Sequence, residues 1–193
     1  MERIGHGQLV LVVGPSGAGK DTLIAAARVK HAGNERFVFP RRIVTRAANA
    51  FEDHDTISPE GFRAAVDAHG YALSWEAHGL GYGLPLTIDD DIGAGRVVVA
   101  NVSRGSIDDA ARRYRFVHIV YVFATPEVLA ARIAARGREP ASESRLEDRT
   151  GQTIMCTRID NSGEASVAIA AFLRELELIG AFTNTDRPYP ASS

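Results

Sequence analysis

One cysteine, Cys156, in 193 residues excludes an internal disulfide and fits a reducing cytosol. No histidine lies close to it in sequence, so it reads as an inert, partly buried thiol rather than a nucleophile. Lysine is scarce: Lys20 and Lys30 are the only two, and nearly all positive charge is arginine. The formal net charge of -2 gives no electrostatic case for nucleic acid or an anionic membrane as a partner. No stretch approaches the roughly 20 apolar residues of a membrane span. The first apolar run, residues 9–13, is too short for a signal peptide, so a cytoplasmic protein is expected. The six histidines show no metal-ligand pairing. The nearest hint, His69 with His78, joins a strand to a loop, and no structural zinc is expected. Internal repeats and low-complexity segments are also missing.

What is present is a glycine-rich turn between an apolar run and a helical one. Leu9-Val10-Leu11-Val12-Val13 leads into Gly14-Pro15-Ser16-Gly17-Ala18-Gly19-Lys20-Asp21-Thr22. A buried strand, a turn that lets backbone N–H groups point inward, and a helix N-terminus together make a phosphate cradle. The spacing is Gly-x4-Gly-Lys, and Lys20 can reach the β- and γ-phosphates of a nucleotide. The bland alternative is a chance glycine turn before a helix. Asp21 departs from the motif, standing where Ser or Thr usually holds magnesium. The aspartate usual at the end of a core strand is here Asn101. Both changes make sense if the carboxylate has moved into the loop and Asp21 meets magnesium directly or through water. The alternative is that Asp21 merely caps the helix.

A hydrophobic content of 45% suits one domain with a sizeable core. Strands are expected at 9–13, 37–39, 42–45, 71–75, 96–101 and 118–123, with a short edge strand at 158–161. Helices are expected at 21–30, 58–69, 85–92, 107–114, from 125 onward, 143–149 and 167–178, and a turn-rich stretch around Tyr82 over 79–83. Strands alternating with helices predict an α/β fold with a parallel core sheet covered on both faces. The stretch of about 43–84 breaks that rhythm and reads as an insertion beside the phosphate loop, where a second substrate would bind. The core is then 1–42 and 85–182, with a loose tail over 183–193.

Arg132, Arg136, Arg138 and Arg145 bracket a Gly-Arg-Glu-Pro break between helices. An arginine-studded lid over about 136–145, facing a phosphate loop, can neutralise developing phosphoryl charge. The alternative is a solvated arginine face. Arg46, Glu52, Tyr82 and Arg104 lie in or beside the insertion and could bind an anionic acceptor. The alternatives are surface ion pairs and a packed aromatic ring.

The Gly-Lys-Asp loop, Thr45-Arg46, His78-Gly79 with Tyr82-Gly83, and Arg136-Gly137-Arg138-Glu139 together resemble the guanylate kinase-like branch of the P-loop nucleoside monophosphate kinases. The resemblance runs from about Leu9 to Leu178. In that branch a second acceptor arginine follows Thr-Arg by three residues, where Asn49 stands here. The guanine-reading glutamate aligns with Leu73, and the acidic contacts after the core strand are replaced around Asn101-Val102-Ser103. A pocket without those carboxylates cannot pair with the edge of guanine.

Thr45-Arg46 before Ala48-Asn49-Ala50, Ala72-Leu73-Ser74-Trp75, and Val98-Val99 leading to Ser103-Arg104 look like a narrower family, ribose 1,5-bisphosphate phosphokinase. The resemblance implies ATP as co-substrate, Mg2+, and transfer of the γ-phosphoryl to the 1-phosphate of the sugar, in phosphonate breakdown. Two alternatives stand beside it: a nucleoside monophosphate kinase, and a guanylate kinase-like binding module without catalysis.

Overall fold

A computed structural model describes residues 2–47, 54–135 and 154–182. The expected lid over 136–145, the helix over 143–149, the tail over 183–193, and residues Asn49, Glu52, Arg136, Arg138 and Arg145 lie outside the described residues.

Five strands form the core sheet: β1 (Gln8–Val13), β2 (Phe37–Val38), β7 (Val97–Asn101), β8 (Val117–Phe123) and β9 (Met155–Asp160). Their order is β2-β7-β1-β8-β9, with every pairing parallel. Period-two alternation divides β1 between two cores. Leu9, Leu11 and Val13 point to one apolar cluster, with Ile88 and Ile92 of α3 (Thr87–Gly93) and Ile107 and Ala110 of α4 (Ile107–Arg113). Val10 and Val12 point to the other, with Leu23 and Ala27 of α1 (Lys20–Lys30) and Phe172, Leu176 and Ile179 of α6 (Ala165–Phe182). Burial on both faces is why β1, β7 and β8 read as largely apolar runs. The chain leaves β1 with β7 on one side and β8 on the other. The carboxyl end of β1 is therefore a topological switch point, where ligands of such sheets bind.

A second sheet, ordered β4-β3-β6-β5, occupies the region expected as an insertion. It comprises β3 (Arg42–Val44), β4 (His54–Thr56), β5 (Tyr71–Ala77) and β6 (Leu80–Pro85), with α2 (Pro59–Asp67) between β4 and β5. Ser58 caps α2 by accepting from the Gly61 N–H. Leu73 and Leu84 join the same apolar cluster as Leu9 and Leu11, tying the two sheets together.

The turn-rich expectation over 79–83 is corrected. His78 and Gly79, both at positive φ, make a tight hairpin turn, and the rest is β6. Gly81 and Gly83 are there for packing: a Cβ would lie 2.5 Å from the Phe62 ring at the first and 2.6 Å from the Tyr71 ring at the second. The edge strand expected over 158–161 is the longer β9, and β4 was not foreseen. The helix expected over 85–92 is α3, and α6 extends the one expected over 167–178 at both ends. The helix expected from 125 onward is α5 (Pro126–Ala134). Cys156 is exposed on β9 rather than partly buried, although the desolvation it retains pushes the thiol up against the opposing Arg158 charge.

Behind the sheet, Tyr114 donates to Asp89 Oδ1 at 2.6 Å and Arg113 Nε does so at 3.0 Å, linking α4 to α3. Burial and that bond push the Tyr114 phenol well up. No helix among the described residues is long and apolar enough to cross a membrane.

Candidate nucleotide and acceptor site

The glycine-rich turn leaves the carboxyl end of β1 and enters α1, whose N-terminus has no side-chain cap. Its first amides are thus available to an anion, the arrangement that makes helix N-termini phosphate sites. Gly19 sits at φ 90°, and a Cβ there would lie 2.3 Å from Asn161 Nδ2. Only glycine combines that backbone with that approach.

Three side chains hold the loop. The Lys20 ammonium donates to the carbonyls of Gly14 at 2.7 Å and Pro15 at 2.9 Å, which sets its charge against the loop opening. Asn161 follows β9, is 3% exposed, and donates from Nδ2 to the Ala18 carbonyl at 2.8 Å. Arg132, in the last turn of α5, reaches the Gly17 carbonyl at 3.4 Å. Ser16 and Thr22 lie within the same turn and first helical turn.

Asp21 does not cap α1; Gly19 occupies that position. Its carboxylate instead looks across to β7 and β3. Asn101 donates from Nδ2 to Asp21 Oδ1 at 2.7 Å, and Arg42 Nη2 lies 3.6 Å from the same oxygen. Because a carboxylate only accepts, this contact fixes which way the Asn101 amide points. The two positions flagged as departures from the usual motif are thus one hydrogen-bonded pair.

The Arg42 guanidinium stands 5.9 Å from the centroid of the Tyr82 ring, and Tyr82 stacks on Trp75 at 5.5 Å with planes 4° apart. Val44 pairs with Tyr82 and Trp75 with Tyr82 across the sheet, so Arg42, Val44, Tyr82 and Trp75 share one face. Thr45 extends the β3–β6 ladder: its N–H donates to Gly81 O at 3.0 Å and its hydroxyl accepts from Gly81 N–H at 2.8 Å. That anchors the following Arg46, whose carbonyl also accepts from the Thr56 hydroxyl at 3.2 Å. Arg104 begins a 3-10 turn, Arg104–Ser106, capped by Ser103 and packed against β5.

Asp21 and Tyr82 are therefore linked through Arg42, with Asn101 on the same Asp21 oxygen, and Arg46 and Arg104 sit on adjoining segments. Leu73 is 4% exposed within the apolar cluster, a place where an unpaired carboxylate would be costly. Sequence reasoning missed Arg42 and Asn161. The available signal was positional: each is a polar side chain beside a strand end on the switch-point side of a sheet.

A guanylate kinase from Anaplasma phagocytophilum superposes with a TM-score of 0.60 at 14% identity, covering 96% of this chain and 89% of that one, which shows the fold. No family model matches the chain. Three curated relatives carry the name ribose 1,5-bisphosphate phosphokinase. The protein from Rhodopseudomonas palustris is 56% identical over 151 residues, 78% of this chain and 77% of its own. Those from Brucella melitensis and Methylobacterium radiotolerans are 46% and 48% identical, covering 92% and 88% of this chain and 95% and 97% of theirs. By descent and by fold, the chain belongs to the ribose 1,5-bisphosphate phosphokinase family.

Proposed function

We propose that this protein is an ATP-dependent phosphotransferase that converts ribose 1,5-bisphosphate into 5-phosphoribosyl 1-diphosphate, releasing ADP, in phosphonate catabolism in the cytoplasm. The observation that carries the reading is the bridge from the phosphate loop through Asp21 to Arg42 and Tyr82. An arginine and an aromatic ring beside the nucleotide cradle, with Leu73 where a base-reading glutamate would stand, support an anionic acceptor without a base.

The acceptor is a phosphate oxygen that is already ionised, so no strong general base is needed. Catalysis is positioning plus charge neutralisation. The loop from Gly14 to Thr22 wraps the ATP phosphates, and Lys20 turns from the loop carbonyls to the β- and γ-oxygens. Arg136, Arg138 and Arg145 neutralise the transferring group. Arg46, Glu52, Tyr82 and Arg104 hold the sugar phosphate.

Asp21 fits magnesium in kind. It is a hard oxygen donor, 43% exposed, with Oδ1 engaged and Oδ2 without a partner among the described residues. Among those residues no cluster of three or more acidic, His or Cys side chains could build a full metal cage. One carboxylate, with phosphates and waters completing the shell, is how Mg2+ is commonly held. Asp21 would hold the ion, which would supply positive charge to offset that of the phosphates.

The test is a product assay with ATP, Mg2+ and a panel of acceptors. Ribose 1,5-bisphosphate should yield 5-phosphoribosyl 1-diphosphate and ADP. Turnover of GMP without turnover of any sugar phosphate would favour a nucleoside monophosphate kinase. Failure to bind ATP in calorimetry would favour a non-catalytic module.

A further inference from the structure

Arg42 is largely enclosed, with its side chain 15% exposed, yet among the described residues its guanidinium makes no hydrogen bond. Its contacts there are the Tyr82 ring at 5.9 Å and Asp21 Oδ1 at 3.6 Å, an oxygen already satisfied by Asn101 at 2.7 Å. Five N–H donors held in a plane and left unspent beside a phosphate loop are suited to a ligand with several anionic oxygens. The guanidinium lies 5.9 Å from the Tyr82 ring centroid, within cation–π range, and Trp75 stacks on that ring. Arg42 belongs to β3 of the second sheet, the sheet read as the acceptor insertion, and not to the phosphate loop or α1. An anion it binds is therefore the acceptor and not the nucleotide. The acceptor group nearest Asp21 is the one nearest the γ-phosphate cradled at the same helix end.

Resting on the phosphotransfer reading above, we propose that Arg42 is the specificity-determining receptor for the acceptor phosphate that receives the transferred group. It is held on Tyr82 and paired with Asp21 until that phosphate arrives. The pairing gives Asp21 a compensating charge.

Calorimetric titration of ribose 1,5-bisphosphate into the metal-free protein, beside steady-state KM for each substrate, tests this with Arg42→Gln and Arg42→Lys. The expected result is an acceptor affinity weakened about 10- to 100-fold in R42Q, with KM for the acceptor rising alike and KM for ATP within about twofold. R42K should recover only part of this, since an ammonium lacks the planar fork that meets several phosphate oxygens at once. It also carries the test if R42Q does not fold. Direct titration with Mn2+ should show tighter binding in R42Q than in the wild type, a shift that a merely structural role would not give. Unchanged acceptor affinity in both variants, or a loss confined to ATP, would overturn the assignment. Wild-type protein that neither binds nor turns over ribose 1,5-bisphosphate would overturn the functional reading itself and this proposal with it.

Discussion

Asn101 donates its side-chain amide to Asp21 at 2.7 Å, joining the end of β7 to the first turn of α1 across 80 residues of sequence. The amide satisfies the carboxylate without adding charge. Replacing it with a second carboxylate, Asn101→Asp, sets two acids against one another, and one of them is then disfavoured in its charged form. A divalent cation would relieve that repulsion. Thermal melts in EDTA should show N101D less stable than the wild type, with magnesium raising its Tm by the larger increment. An equal magnesium shift in the two proteins would count against a cation site here.

Asp21→Ala removes the carboxylate altogether. The expected outcome is a half-saturating magnesium concentration raised by about tenfold or more, with kcat/KM falling in step. An unchanged magnesium requirement would exclude the ligand role for Asp21.

Gly19 and Asn161 share one contact. Gly19→Ala forces a side chain to φ 90° and drives its Cβ to 2.3 Å from Asn161 Nδ2, a strain of about 1–3 kcal/mol. Asn161→Ala instead leaves the buried Ala18 carbonyl without its donor, at about 1–3 kcal/mol. Each single change should weaken ATP binding. The double variant should lose less than the sum, because removing Asn161 makes room for the new methyl group. Strict additivity in urea denaturation would show that the clash is relieved elsewhere.

Away from the loop, Glu175 of α6 meets β8 and β9. His118 Nε2 lies 3.2 Å from its Oε1, and Thr157 donates to the same oxygen at 2.9 Å. The His118 bond, helped by Thr157 and opposed by burial, holds the carboxyl below its ordinary value of 4.5. With the folded value depressed, the unfolded chain takes up the proton first as the solution is acidified. The stabilisation is therefore complete above about pH 4.5 and is lost as pH falls through the folded value. Glu175→Gln should flatten the acid limb of unfolding free energy against pH. An acid limb as steep as the wild type's would reject the assignment.

Local patterns were the legible part of this chain. The β-branched runs of β1, β7 and β8 showed through because burial on both faces leaves few polar positions, His118 among them, to confuse them. The phosphate loop was readable for the same reason: strand, turn and helix are contiguous. β6 was misread because Gly81 and Gly83 carry poor strand propensity, and the Phe62 and Tyr71 rings that require them belong to other elements. β4, His54–Thr56, is polar and three residues long, which gives no periodicity to detect. Within the site, Asp21 and Asn101 stood out one by one, but their bond is a property of topology. Arg42 looked like any strand arginine until Tyr82 and Asp21 were seen on either side of it.

Ala18 is held by a residue 143 positions further along the chain. During synthesis the Gly-Lys motif emerges ahead of Asn161, and it lacks this clamp until β9 has paired with β8. A growing chain shorter than that carries the signature of a nucleotide site with an incomplete grip. Assembly of the site is thereby tied to the pairing of β9, so a ribosome-bound fragment lacking that strand is poorly equipped to sequester ATP.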